Sequence, residues 1–167
     1  MGGVRVPLTL PTRRGRLGAV LAGALVILLA AGCGGGGDGG GGSEDAGDLA
    51  AQAAAVGALL DQIEALPETA TSAEAFSTQL APLRDQIQTQ IEQIQATDAP
   101  DELSSQKEQL ANRLRGLRTQ LGRVQGLLLE DDLEAAKTAT EQLLSVQQIR
   151  QTIAAIEAAS AGGTTGG

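Results

Sequence analysis

Leu103-Ser-Ser-Gln-Lys-Glu-Gln-Leu110-Ala-Asn-Arg-Leu114-Arg-Gly-Leu117-Arg-Thr-Gln-Leu121-Gly-Arg-Val124-Gln-Gly-Leu-Leu128 decides the fold. Its large apolar residues recur at steps of three, four and seven. That spacing places them on one stripe of an α-helix, with Gln, Arg and Ser on the remaining faces. Alternation of period two is absent, so the stretch does not read as a strand. A stripe of this width cannot stay in water, and it predicts further helices of the same kind to cover it.

Those helices are found on both sides. Upstream, Leu49, Val56, Leu59, Leu60, Ile63 and Leu66 form one stripe, with Ala53 filling the seam. Phe76, Leu80, Leu83, Ile87, Ile91 and Ile94 form a second. Downstream, Leu133, Leu143, Leu144, Ile149, Ile153 and Ile156 form a fourth, with Ala136 and Thr140 between. Residues 46–160 are rich in Ala, Leu, Gln and Glu and poor in β-branched residues, which favours helix throughout.

Stop and start signals separate the four. Pro67 is expected to end helix 1, and Thr71-Ser-Ala-Glu74 to cap helix 2 as a capping box. Asp98-Ala-Pro100-Asp-Glu102 opens helix 3, with Pro100 at the first helical position, and Asp131-Asp-Leu-Glu134 opens helix 4. Pro82 falls inside the second stripe and either kinks that helix or moves its start to Ala81. The connections are a few residues each, which forces neighbours to run antiparallel. The expected fold is all-α: an antiparallel up-down four-helix bundle of coiled-coil-like hairpins. Helices 3 and 4 are expected to be the longest and to project as a hairpin beyond helices 1 and 2.

The start of the 167-residue chain has another character. Arg5, Arg13, Arg14 and Arg16 precede any acid, and the uncharged apolar run Leu17–Gly32 follows them. A basic start, a short apolar core and a small-residue end make a secretory signal peptide. The run is shorter than a comfortable membrane span, for which about 17–25 residues are needed. Leu29-Ala-Ala-Gly-Cys33 resembles the lipobox of bacterial lipoproteins, with Ala30 standing where that family usually carries leucine. The resemblance implies cleavage between Gly32 and Cys33 and a diacylglycerol on the Cys33 sulfur. Cys33 is the one cysteine of the chain and has no internal partner for a disulfide. A plain signal peptide with an incidental cysteine, or an uncleaved signal anchor, are the competing readings. Thr12-Arg-Arg-Gly-Arg-Leu17 is also similar to a twin-arginine export signal, which bears on the export route alone.

Eight glycines in residues 34–42 follow, then Ser43, Glu44 and Asp45. Glycine loses the most backbone entropy on ordering, so residues 33–45 read as a lipidated cysteine plus a flexible tether. Such a tether spans on the order of 20 Å. Residues 161–167 read as a disordered tail. The expected organisation is thus residues 1–32 signal peptide, 33–45 anchor and linker, 46–160 bundle and 161–167 tail. Ala99-Pro-Asp-Glu-Leu103, between two Gln/Leu helices and behind a lipobox and glycine tether, resembles small helical lipoproteins of high-GC bacteria. That likeness implies no particular activity.

Composition narrows the chemistry. With no His, the usual general base near neutral pH and the commonest transition-metal ligand are missing. Phe76 is the one aromatic residue, so base and sugar stacking lose their platforms. Ser104-Ser-Gln-Lys107 spells S-x-x-K, but the S-D-N and K-T-G elements of penicillin-recognising enzymes are absent. Glu130, Asp131, Asp132 and Glu134 lack the calcium-loop pattern and suit a helix start. No catalytic residue, metal or cofactor is expected.

Charge is unevenly distributed. Cleavage before Cys33 would remove four Arg and no acid, leaving 8 basic and 20 acidic residues, net −12. Such a body is repelled by nucleic acid and by anionic lipid. Yet Lys107, Arg113, Arg115, Arg118 and Arg123 stand against Glu108 alone in residues 103–129. Either this basic helix lies beside acidic helices of its own domain, or it docks an anionic partner such as a wall polymer. The functional expectation is a non-enzymatic interaction or scaffold lipoprotein, anchored on the extracytoplasmic face of the cell membrane. Its partner would be an envelope protein or an anionic wall polymer, and nucleic acid is not expected. The alternative is a ligand-binding or sensor lipoprotein with a cleft between helices.

Overall fold

The computed structural model describes residues 41–162, all of which belong to helices or the short turns between them. The signal peptide, Gly32, Cys33, linker residues 34–40 and tail residues 163–167 lie outside the described residues, while Ala161 and Gly162, expected in the tail, are helical. Five helices are present: α1 (Gly41–Thr69), α2 (Ala73–Ala96), α3 (Asp101–Leu129), α4 (Leu133–Glu141) and α5 (Leu144–Gly162). α4 and α5 together make the fourth arm of an antiparallel up-down bundle. Neighbours pack in a ring: α1 on α2, α2 on α3, α3 on α4 and α5, and these two back on α1. The apolar stripes form one core, in which Leu60, Ile63, Phe76, Leu80, Ile87, Leu110, Leu114, Leu117, Leu121 and Ile149 have no solvent exposure. By length and composition, Glu44–Thr69 is apolar enough to cross a membrane. Within the bundle its stripe from Leu49 to Leu66 is buried core.

The ends of the helices differ from expectation in ways that local chemistry explains. α1 begins at Gly41, so the last five residues assigned to the linker are helical. Glu44 sits in its first turn, where a carboxylate offsets the positive end of the helix dipole. The start is also tied down from the far end of the chain: the Ser160 hydroxyl donates to the Ala46 carbonyl at 3.2 Å. α1 is 29 residues long, as α3 is, so α3 and the fourth arm do not project as a longer hairpin. Pro67 lies inside α1 and does not end it. The ring forfeits the bond to the Ile63 carbonyl. The helix nevertheless closes, with Ala70 N–H bonded to Leu66 O at 3.0 Å and the Thr69 hydroxyl to Ala65 O at 3.0 Å.

α2 is capped one residue later than the sequence suggests. Ser72, and not Thr71, has the extended conformation of a cap, and its Oγ accepts from Ala75 N at 3.1 Å. Pro82 sits inside this one helix and leaves its start at Ala73. The carbonyl deprived of a partner belongs to exposed Thr78, where water can satisfy it. Pro100 is likewise the cap of α3 and not its first helical residue, with Asp101 and Glu102 in the first turn. At the other end of α3, Asp131 N–H bonds Leu128 O at 3.2 Å and Asp132 N–H bonds Leu127 O at 3.0 Å. This is a Schellman closure, and it places Asp131 in the left-handed region at φ 61°. Asp132 then caps α4, its Oδ1 accepting from Ala135 N at 3.0 Å.

The largest difference is the break of the fourth helix at Gln142–Leu143. No Pro or Gly causes it. Projected at about 100° per residue, the Ala136/Thr140 side and the Ile149/Ile153/Ile156 side point about 150° apart. A continuous helix would therefore turn one of the two stripes into water. Breaking for two residues resets the phase and buries both, and it leaves Leu144 outside, 76% exposed.

Glycines in α3 offer a direct test of the helix surface. A β-carbon at Gly116 would meet nothing within 4 Å. Gly116→Ala is therefore expected to raise stability by about 0.5–1 kcal/mol, read from urea unfolding followed by circular dichroism. A loss of stability on this substitution would mean that the outer face of α3 is packed against something.

Candidate functional site: a basic edge between the second and third helices

The five basic residues of α3 do not form one patch. At about 100° per residue, Lys107, Ala111, Arg115, Arg118 and Gly122 fall within about 80° of one another on the edge of α3 that faces α2. Arg113 lies on the opposite edge, facing α5. Its guanidinium donates to the Gln148 carbonyl and the Thr152 hydroxyl, which pins the fourth arm to α3. Ser145, donating to Gln120 Oε1 at 2.7 Å, makes a second polar tie along the same seam. Arg113 is thus a structural residue. Arg123 is exposed on the outer face, away from both edges.

The α2-facing edge is an open groove. Gln95 of α2 and Lys107, Glu108, Ala111, Asn112 and Arg115 of α3 line one stretch of it. Lys107 Nζ donates to the carbonyl of Thr97, the residue that caps the C-terminus of α2. Its charge lies against the negative end of that helix dipole and holds the α2–α3 turn. Arg115 donates to Asn112 Oδ1 at 2.6 Å, which keeps its guanidinium on the surface beside the groove.

Arg84 joins this edge from α2, and sequence reasoning missed it. It lies three turns before Gln95 on the same side of α2, and its guanidinium rests over Gly122. A β-carbon at Gly122 would stand 3.7 Å from Arg84 Nη2. Arg84 Nε is buried without a hydrogen-bond partner. Projection of the α3 sequence alone would have separated Arg113 and Arg123 from the rest. It could not have brought in Arg84, because which edge of α3 meets α2 depends on the hand of the bundle.

Acids outnumber bases in this chain, yet among the described residues none forms an ion pair with the basic edge. Ion pairs among the described residues all belong to Arg150, which meets Asp61 Oδ1 at 2.6 Å and also Glu64 Oε2. Hydrogen bonds from Arg150 to Asp61 and then to Glu64 hold its guanidinium above the ordinary arginine range. α3 does lie beside α2, which carries Glu74, Asp85 and Glu92, but no ion pair joins the two among the described residues. Arg118 and Arg123 make no polar contact at all there. Glu108 lines the groove itself, and on α2 Glu92 accepts from Gln88 Nε2 at 2.6 Å.

The other candidates resolve into local structure. Ser104 donates to Pro100 O at 3.3 Å, at the start of its own helix, while Lys107 is turned to Thr97. No three His, Cys, Asp or Glu side chains among the described residues are grouped so as to hold a metal ion. No protein-family model, no curated protein and no solved structure matches the chain.

Proposed function

We propose that the protein is a lipid-anchored component of the cell envelope. In this reading it is held at the extracytoplasmic face of the membrane through Cys33, and its bundle serves as a non-enzymatic interaction or scaffold module. The anchor rests on the basic start, the apolar run and the lipobox-like Leu29–Cys33. The interaction role rests on one observation: Arg84, Arg115 and Arg118 have no acidic partner in a body with a large excess of acid. Pairing a cation with acids of its own fold is the ordinary fate of a basic helix among acidic ones, and here Arg115 and Arg118 stand exposed without such a partner among the described residues. Open cations of this kind steer anionic partners and set their register.

In-cell photo-crosslinking tests this reading. A crosslinking residue at Arg118 is expected to capture an envelope component, and the same residue at Glu141, on the fourth arm, is not. Capture of nothing at either position, in cells where the protein is abundant, would end the interaction reading. A copurifying small molecule that raises the melting temperature would replace it with the ligand-binding alternative.

A further inference from the structure

Resting on that reading, we infer that the α2–α3 edge binds a linear, ring-free polyol phosphate: a flexible polymer of phosphodiester-linked units lying along the groove. The cations form a line. Lys107 to Arg115 is about 12 Å along the axis of α3, Arg118 is about 4.5 Å further, and the Gly122 level, where Arg84 lies, about 6 Å beyond. A row of about 22 Å outspans a single small anion and fits several charged units in series. Three of the four cations are Arg, whose planar fork meets phosphate oxygens in pairs.

The lining excludes the other polyanions. The floor offers the Ala111 methyl and bare Gly122, with no large apolar side chain to anchor a protein partner. The exposed large apolar residues, Leu129 and Leu144, lie elsewhere. Phe76, the one aromatic, is wholly buried, so neither bases nor pyranose rings find an aromatic face to stack on. Duplex nucleic acid, with about one charge per 1.7 Å, also meets the strongest repulsion from the acidic body. A polyol phosphate needs no stacking. Its charges lie in the chain itself, and the amides of Gln95 and Asn112 suit its hydroxyls and ester oxygens.

The test uses the full-length protein in mild detergent and a fluorescently labelled short poly(glycerol phosphate) chain, with binding read by anisotropy. Binding is expected at low salt, with log affinity falling linearly against log salt. R84Q/R115Q/R118Q is expected to lose at least about tenfold in affinity. R118Q alone, a side chain with no contact within the fold, is expected to lose about threefold. R123Q removes the same charge from the outer face and is expected to stay within about twofold. Equal weakening by R123Q and R118Q would reduce the effect to net charge and overturn the site. So would equal affinity for a polygalacturonate or a single-stranded DNA of matched charge, or no binding at all. Should the polymer fail to bind while Arg118 still crosslinks a protein in cells, this inference falls and the interaction module stands. Failure of both removes both.

Discussion

Phe76→Ala is expected to cost about 3–5 kcal/mol, the largest loss available from a single truncation in this core. Phe76 stands in the first turn of α2 with no solvent exposure. It shares one buried cluster with Leu66, Ala70 and Ala73 at the α1–α2 turn and with the Leu and Ile stripes. Its neighbours in sequence are held by the Ser72 cap and by the bond from Phe76 N–H to Ser72 O at 3.0 Å, so the backbone cannot sink into the space left behind. The cavity term then adds to the lost transfer free energy. A domain of this size has a total stability of about 5–15 kcal/mol, so the variant is close to unfolding at 37 °C. Its melting midpoint should fall by about 10–20 °C when helicity is followed at 222 nm. A fall of only a few degrees would mean that this end of the bundle is not closed around the ring.

Cys33→Ser is expected to move the protein from the membrane fraction to the medium or periplasm and to abolish labelling by radioactive fatty acid. The proposed anchor is two acyl chains on one sulfur. Each buried CH₂ contributes about 0.8 kcal/mol, so one chain is marginal and two hold firmly. Serine offers no thiol for the transfer, and with both chains gone the acidic body has no acyl hold on the bilayer. The body would carry net −12 after cleavage, which opposes adsorption to such a surface. The effect is therefore all or none, unlike that of a substitution in the bundle. A wild-type protein that is already soluble and unlabelled would remove the anchor from the proposal and leave the basic edge untouched. A variant that stays in the membrane with its leader attached would point instead to a signal anchor.

How far a one-dimensional pattern reaches is seen by comparing α3 with the fourth arm. In α3 a single unbroken stripe from Leu103 to Leu128 demands one long helix, and one is formed. In the fourth arm both halves carry good stripes, and composition favours helix at every residue. The phase slip between Thr140 and Ile149 is present in the sequence, yet its consequence is not. Phase is a statement about which direction is inward, and inward is defined by α1 and α3. The same holds for Thr71 and Ser72. Both are good caps, and the choice between them follows from where α2 must start for Ala73 and Phe76 to face the core.

Amphipathic faces and antiparallel order were legible from residue spacing and short connections, because those are local or nearest-neighbour properties; the split of the fourth helix into α4 and α5 was not. The distribution of the basic residues was settled in three dimensions. Arg113 spends its charge on the fourth arm, Lys107 gives one donor to the end of α2 beside the groove, and Arg84 reaches Gly122 from another helix. Electrostatic pairing depends on distances between chain segments far apart in sequence. Only packing sets those distances, which is why a run of like charges in α3 took separate roles once the bundle closed.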